Sequence, residues 1–548
     1  MKNASPPTFP ETFSVADYFL FDRIKEGKGD KVALRYGDLE YTYQEVADKS
    51  RAFAQTLMAL GIEREERVYC VLPDCPPFVW SIFGTIARGS ILAMGNPLSP
   101  ENSLLSVLEY SRASCLVTTD TAFARLAPHL GQADHLRAVL LCPDTKTGEN
   151  PEAPVAGVEA QSDLVVQSLA TQPSPDAAIN LPELKRDDPC VWLFTSGSTG
   201  TPKAAVHTHR DFAFNTEVYA KGTVGYRHDD VALSVPRLFF GYATGTNLWF
   251  PFSVGATVGL FSERPTAESL VGAIEKYQPT IVTNVPTMMG KLLDYDDELT
   301  SSGRSGIDMS SVRFHLSAGE ALPPPLLERF HERFGAEVYD GIGSAEMFHI
   351  YVSNRPNDVK PGSLGRLVDG YQARVLPVDA EGPGAEEVPL GEVGVLWVKG
   401  DSVAICYHQD RDKSWDTFHG HWCRTSDLFS RDENGYFWFA GRADDLFKVG
   451  GVFVSPTEVE NCLLRHPDVH SAAVVPHADD GLEKPFAFVV LRDPCESEDK
   501  KIAELQEHVK SCLSKYKYPR WIRLIDELPK NDRGKIDRKS LKGMVKVD

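Results

Sequence analysis

Apolar and polar positions first fall into a clear rhythm at Lys31. "KVALRYGDLEYTYQEV" alternates with period two on either side of a Gly-Asp turn, then shifts to a helical period rich in Ala and Leu that runs to about Leu60. "RVYCVLPDCPPFVWSIFGTIARGSILAMGNP" predicts strand, helix and strand, the alternation of a parallel α/β sheet. Further short apolar runs, "ATVGLF" and "TIVTNVP", have helical patterns between and after them, and no internal repeat of fixed period is present. From Asp144 to Asp188 the chain turns Pro-, Ala- and acid-rich without periodicity, which predicts a long surface excursion. After "GRADDLFKVGG" the elements become short and compact. That change predicts a hinge at Asp444 between a large domain, residues 1–443, and a small α+β domain, residues 444–548.

At 548 residues the chain exceeds one core, which supports the two-domain reading. Its apolar fraction of 42% and charged fraction of 24% are those of an ordinary globular protein. A net charge of -20 disfavours nucleic acid or an anionic membrane as partner, so any polyanion needs a local basic pocket. No charged start followed by an apolar run opens the chain, and no stretch approaches the roughly 18 apolar residues of a span. Ten cysteines sit singly with no C-x-x-C pair, which predicts reduced thiols in a cytoplasmic protein.

Two stretches carry candidate chemistry. "VWLFTSGSTGTPKAAVHTH" reads as a strand followed by a loop from Thr195 to Lys203. Glycines there (Gly197, Gly200) let amides face an anion, hydroxyls (Thr195, Ser196, Ser198, Thr199) add donors, and Lys203 adds charge. The spacing is not that of a Walker A loop. "DGIGSAEMFHIYVSN", residues 340–354, packs glycines, a serine and a carboxylate ahead of an apolar run, and reads either as a binding loop or as the entrance to a buried helix.

"TSGSTGTPK" resembles the phosphate loop of the adenylate-forming superfamily of acyl-CoA synthetases, adenylation domains and luciferases. "SAGEALP", "YDGIGSAEM", "WCRTSDLFSRDENGYFWFAGRADD" and "LPKNDRGKIDRKSL" resemble its later motifs in order. The resemblance implies an acetyl-CoA synthetase-like fold: a large domain of layered α/β subdomains with a small β-barrel part, and a mobile C-terminal domain. It also implies ATP, Mg2+ and coenzyme A as cofactors. Tyr339, Asp340, Gly341, Ile342 and Gly343 would form a flat slot for the purine, with Ala318, Gly319 and Glu320 on its other side and Ser344 beside the phosphates. Glu346 would hold magnesium. Asp427 would take the ribose hydroxyls and Arg442 phosphate or ribose, a surface salt bridge being the plainer reading of both. Lys535 would bridge the substrate carboxylate and the α-phosphate; Lys530 and Lys539 fall outside the motif core. Rotation at Asp444 would bring Gly450 and Gly451 beside a pantetheine arm.

Within the superfamily, "LFFGYATGTNLWFPFSVGATV", "GSAEMFHIYVSNRPNDVKPGSLGR" and "LFKVGGVFVSPTEVE" most resemble the benzoate-CoA ligase branch. Gly241, Tyr242, Gly343 and His349 would then line the aryl pocket. Phe239 and Phe240 suit either the pocket or the core, and His349, three residues after Glu346, would share a helical face with it. The implied activity is an ATP-dependent benzoate-type CoA ligase. Loading of a separate carrier protein and ligation of furoate, alicyclic or short-chain acids are the alternatives. Lys535 falls near the end of the chain, which leaves no room for a fused carrier domain and favours free coenzyme A; Lys515, Lys517 and Arg520 would meet its phosphates or form a solvated basic face. Ala345 departs from the family, most of which has threonine there to contact the α-phosphate. The expected partners are small molecules, in a monomer or homodimer.

Overall fold

The computed structural model describes residues 6–155, 164–171, 179–196, 202–449, 452–479, 482–529 and 536–545. They form two compact units: Met1–Gln372 with Val398–Cys423, and Ala373–Trp397 with Arg424–Asp548. The units do not divide at Asp444, because the strand-rich segments on either side of residues 398–423 group with the C-terminal residues.

The first unit holds two sheets. In one, six parallel strands run in the order Val165–Ser168, Ala138–Cys142, Cys115–Thr119, Arg67–Val71, Ile91–Met94 and Pro189–Ser196, with Pro202–Thr208 added antiparallel at the edge. The excursion after Asp144 thus contributes one edge strand of its own. In the other, six parallel strands end in Ile281–Asn284, Phe314–Ser317 and Glu337–Gly343, and antiparallel strands complete both edges.

Two helices meet inside this unit. Tyr43–Ala59 starts on a Thr42/Glu45 capping box, which satisfies the first free amides of the helix. Pro76–Arg88 opens on two prolines, closes on Gly89 in the left-handed region, and is buried along its whole length. They touch at Gly84, where a Cβ would lie 2.6 Å from the Ser50 carbonyl oxygen. The two predicted strands, turn and helix of residues 31–60 are present, as is the strand, helix and strand that follows.

The second unit holds most of a five-stranded sheet around Trp422–Arg431, the counterpart of the expected small barrel part, and an α+β module. That module has a long hairpin, Val469–Asp479 with Leu482–Leu491, a parallel strand Trp521–Leu524, and helices Pro456–Leu464, Glu498–Cys512 and Arg538–Met544.

Candidate active site

The phosphate-loop residues sit on a strand pair. Thr195 is opposite Lys203 and Ser196 opposite Pro202 in the antiparallel ladder, so the ends of the expected loop are strand. Gly197, Ser198, Thr199 and Gly200 lie outside the described residues. Lys203 Nζ stands 3.2 Å from the Asp410 carboxylate and 5.8 Å from the centre of the Tyr407 ring. Residues 404–408 lie along the same strand, with Val206 N–H donating to the Cys406 carbonyl and His408 N–H to that of Ala204. From there Tyr407 donates its hydroxyl to Glu346 Oε1 at 2.7 Å, and burial with the Glu346 charge beside it raises the phenol pKa. One tyrosine therefore connects the loop lysine to the motif acid.

Residues 343–350 do not form a helix. Glu337–Gly343 and Ile350–Ser353 are an antiparallel pair, joined through a single 3-10 turn at Ala345–Met347. Phe348 has φ 64, which reverses the chain where a helix would have continued. The pair closes tightly: a Cβ on Gly343 would fall 2.4 Å from the His349 carbonyl oxygen. Glu346 and His349 therefore share no helical face; Glu346 meets Tyr407, and His349 turns to the helix start at Tyr242. Beneath the turn, His207 places Nε2 2.6 Å from the Ala345 carbonyl oxygen and Nδ1 2.9 Å from Asp211, both side chains being buried.

On the acid side, His349 Nε2 lies 3.0 Å from the Tyr242 carbonyl oxygen, and its ring is ringed by Tyr219, Tyr242, Phe250 and Phe348 at 4.6–5.6 Å. Burial pushes the imidazole down to about 3, so it is neutral at physiological pH. Tyr242 Oη and His349 Nδ1 are buried and have no hydrogen-bond partner among the described residues. Gly245 leaves room for this ring: a Cβ there would stand 2.5 Å from His349 Cδ2. Gly241 opens the helix start that carries Tyr242, and Phe239 and Phe240 are half-buried against each other at 4.5 Å.

On the adenine side, Ser317 pairs with Asp340 across parallel strands, so Ala318–Glu320 and Gly341–Ser344 leave the same carboxyl edge of the sheet, the usual place for a ligand in an open α/β sheet. Gly319 has φ 87 and open space where a side chain would stand, while Glu320 is engaged by the Thr287 N–H and hydroxyl. Tyr339 is buried against Phe314 and donates to Glu337 at 2.6 Å, and Ile342 pairs with Val352. Asp340 Oδ1, Ser317 Oγ and Ser344 Oγ are buried and have no hydrogen-bond partner among the described residues. Burial pushes the Asp340 carboxyl up to about 7.

A family model described as AMP-binding enzyme matches residues 21–408, and one described as AMP-binding enzyme C-terminal domain matches residues 458–535. The chain belongs to the AMP-binding enzyme family. A benzoate–CoA ligase of Thauera aromatica is 36% identical to this AMP-binding enzyme over 98% of each chain. Among solved structures, the anthranilate CoA ligase AuaEII in complex with anthranoyl-AMP superposes with TM-score 0.85 at 32% identity, covering 98% of both chains. A benzoate CoA ligase from Burkholderia xenovorans LB400 follows at TM-score 0.83 and 34% identity, over 97% of this chain and 100% of that one. The expected superfamily, its benzoate-CoA ligase branch and the fold are borne out.

In the second unit of this AMP-binding enzyme, Asp427 and Arg442 face each other across a strand pair, with Arg442 Nη1 3.6 Å from Asp427 Oδ1. Asp427 is buried and Arg442 exposed. Asp444 lies in the short turn Ala443–Asp445. Gly450, Gly451, Lys530 and Lys535 lie outside the described residues, and Lys539 is exposed on the last helix. Lys517 pairs with Glu458 at 2.7 Å and the Arg520 guanidinium covers the Tyr518 ring; Lys515 is exposed. Sequence reasoning missed Tyr407, Asp410, Gly245 and the His207–Asp211 pair. Only the last left a trace, since His207 and Asp211 are four apart at a helix start where Asp211 also caps.

Proposed function

We propose that this AMP-binding enzyme is an ATP-dependent aryl-CoA ligase for benzoate or a ring-substituted benzoate. In the first step the aryl carboxylate attacks the α-phosphorus of ATP, and the bond to pyrophosphate breaks to leave an aryl-adenylate. In the second, the coenzyme A thiol attacks the acyl carbon; AMP leaves with the electron pair of the acyl–oxygen bond and the thiol proton passes to solvent. The observation that carries the reading is the short hairpin turn that holds Glu346 at one end and the aromatic enclosure of His349 at the other. An acid seated against that enclosure meets the nucleotide where its charge is greatest.

Glu346 suits magnesium: one oxygen is oriented by Tyr407, and no cationic side chain among the described residues pairs with it. When bound, the ion offsets the charge of the ATP phosphates. Lys203 adds a positive charge on the phosphate side, and the unpartnered Asp340 and Ser317 oxygens suit the polar edge of a purine. By family resemblance, Lys535 bridges carboxylate and α-phosphate, Asp427 takes the ribose hydroxyls, Arg442 contacts phosphate or ribose, and Asp444 is the hinge that brings Gly450 and Gly451 to the thiol. Unpartnered Tyr242 Oη and His349 Nδ1 favour a ring bearing a hydroxyl or amino group alongside benzoate itself. Among the described residues no helix is long and apolar enough to cross a membrane, and the net charge of -20 fits small-molecule partners rather than nucleic acid.

The deciding experiment is acid-dependent ATP–pyrophosphate exchange over benzoic, hydroxybenzoic, aminobenzoic, furoic and alicyclic acids, followed by thioester formation with coenzyme A. Exchange with the aromatic acids and transfer to coenzyme A are expected. Exchange confined to non-aromatic acids, or transfer only to a carrier protein, overturns the reading.

A further inference from the structure

The helix Glu498–Cys512 carries His508 and Cys512 four residues apart, hence on one face. Cys462, on the helix Pro456–Leu464, is buried and faces them: one ligand atom from each of the three residues lies within 4.8 Å of the other two. Thiolate and imidazole ligands of a tetrahedral zinc stand about 2.0–2.3 Å from the metal, so their mutual spacing is roughly 3.5–3.8 Å. Small rotamer adjustments close that difference. Exposure rises from buried Cys462 through His508 to exposed Cys512, so the cluster opens to solvent on one side, where a fourth ligand can be water.

A contrast lies a short distance away, where the helix Glu498–Cys512 faces the turn that follows Pro456–Leu464. His466, Asp468 and Glu504 also gather within 4.8 Å, but the Lys501 ammonium already pairs with Asp468 at 2.5 Å and Glu504 at 2.6 Å. That acidic group has its cation built in. Among the described residues no ammonium pairs with the sulfur-containing group in this way; Arg465 and Glu458 are the charged side chains that act on Cys462, and Glu458 is paired with Lys517. His508 Nε2 lies 3.0 Å from the Cys462 carbonyl oxygen, a contact that orients the imidazole between the helices.

We propose that Cys462, His508 and Cys512 form a binding site for a soft or borderline divalent cation, zinc foremost, which staples the two helices of the C-terminal module. Binding replaces two S–H bonds by two metal–sulfur bonds and releases two protons to solvent. Because each thiol must lose its proton to ligate, uptake strengthens with rising pH.

The test is a Co2+ titration of the full-length, reduced, chelator-stripped protein without coenzyme A, whose own thiol would compete. One equivalent of Co2+ should give sulfur-to-metal charge-transfer absorption and tetrahedral visible bands, both displaced by Zn2+, and Zn2+ should raise the melting temperature. Cys512→Ser, at an exposed position that folding tolerates, and Cys462→Ser should abolish the thiolate bands. His508→Gln should weaken binding, and Cys495→Ser should leave it unchanged. Acid-dependent ATP–pyrophosphate exchange at the wild-type rate serves as the folding control for each variant. Absence of the thiolate bands in the wild-type protein, their persistence in Cys512→Ser, or ready formation of a Cys462–Cys512 disulfide in a protein that takes up no Co2+ overturns the proposal.

Discussion

His207 Nε2 stands 2.6 Å from the carbonyl oxygen of Ala345, while its other nitrogen faces Asp211 at 2.9 Å. Both ring nitrogens thus meet oxygen atoms of the protein. The turn that bears Glu346 is thus held by its backbone from below, whichever side chain occupies position 345. His207→Phe, which deletes both bonds, should lower the adenylation rate about tenfold or more while shifting the KM for the acid much less. Ala345→Thr should change adenylation by less than about tenfold, since the unpartnered Ser344 hydroxyl is available to the phosphate. Pyrophosphate exchange rates measure both.

Tyr407 fixes the Glu346 carboxylate through one charge-assisted hydrogen bond. Its loss in Tyr407→Phe is worth about 1.5–3 kcal/mol of orientation. The expected outcome is a rise of roughly tenfold or more in the Mg2+ concentration that gives half-maximal exchange, with a larger rise for Glu346→Gln. An unchanged Mg2+ requirement in both variants would remove Glu346 from the metal site.

Gly245 and His349 occupy one small space. Gly245→Ala brings a methyl group to within 2.5 Å of His349 Cδ2, and overpacking of this kind costs about 1–3 kcal/mol. The KM for the aryl acid should rise while that for ATP stays near wild type. His349→Ala removes the ring that closes the enclosure and should also raise the acid KM selectively. A rise in the ATP KM instead would place His349 elsewhere in the reaction.

Asp340 provides a pH signature. Its carboxyl sits at about 7 in the folded protein against an ordinary 3.8, because it is buried. Below 3.8 the group is neutral in both states and costs nothing. Between 3.8 and 7 the unfolded chain ionises while the folded one keeps its proton, so stability falls as pH rises; above 7 the penalty is complete, on the order of 4 kcal/mol. Asp340→Asn should therefore melt higher than wild type at about pH 8, with the difference vanishing toward about pH 4. A difference independent of pH would show that the carboxyl is not responsible.

The sheet strands were legible because parallel strands buried on both faces are short apolar runs such as "TIVTNVP", bounded by turn residues. The Glu346–His349 spacing misled, since three residues apart suggests a helix only while the backbone stays helical, and Phe348 does not. The contacts of Tyr407 with Glu346 and of His207 with Ala345 left no usable signal because the partners lie 61 and 138 residues apart, and a single sequence does not reveal such pairs. The Cys462, His508 and Cys512 group was hidden for the same reason: without C-x-x-C spacing, nothing local marks it. The motifs around Lys203, Asp340 and Glu346 were legible as chemistry, whereas their mutual orientation came only with the fold.

Because Thr195 is opposite Lys203 in a ladder, the register of that strand pair decides where the lysine points. Side chains alternate across a strand, so inserting or deleting one residue on the lysine strand would send Lys203 to the face now taken by buried Ala204 and turn its ammonium away from Tyr407. A one-residue insertion between Pro202 and Lys203 should therefore silence adenylation even though every side chain of the motif is kept.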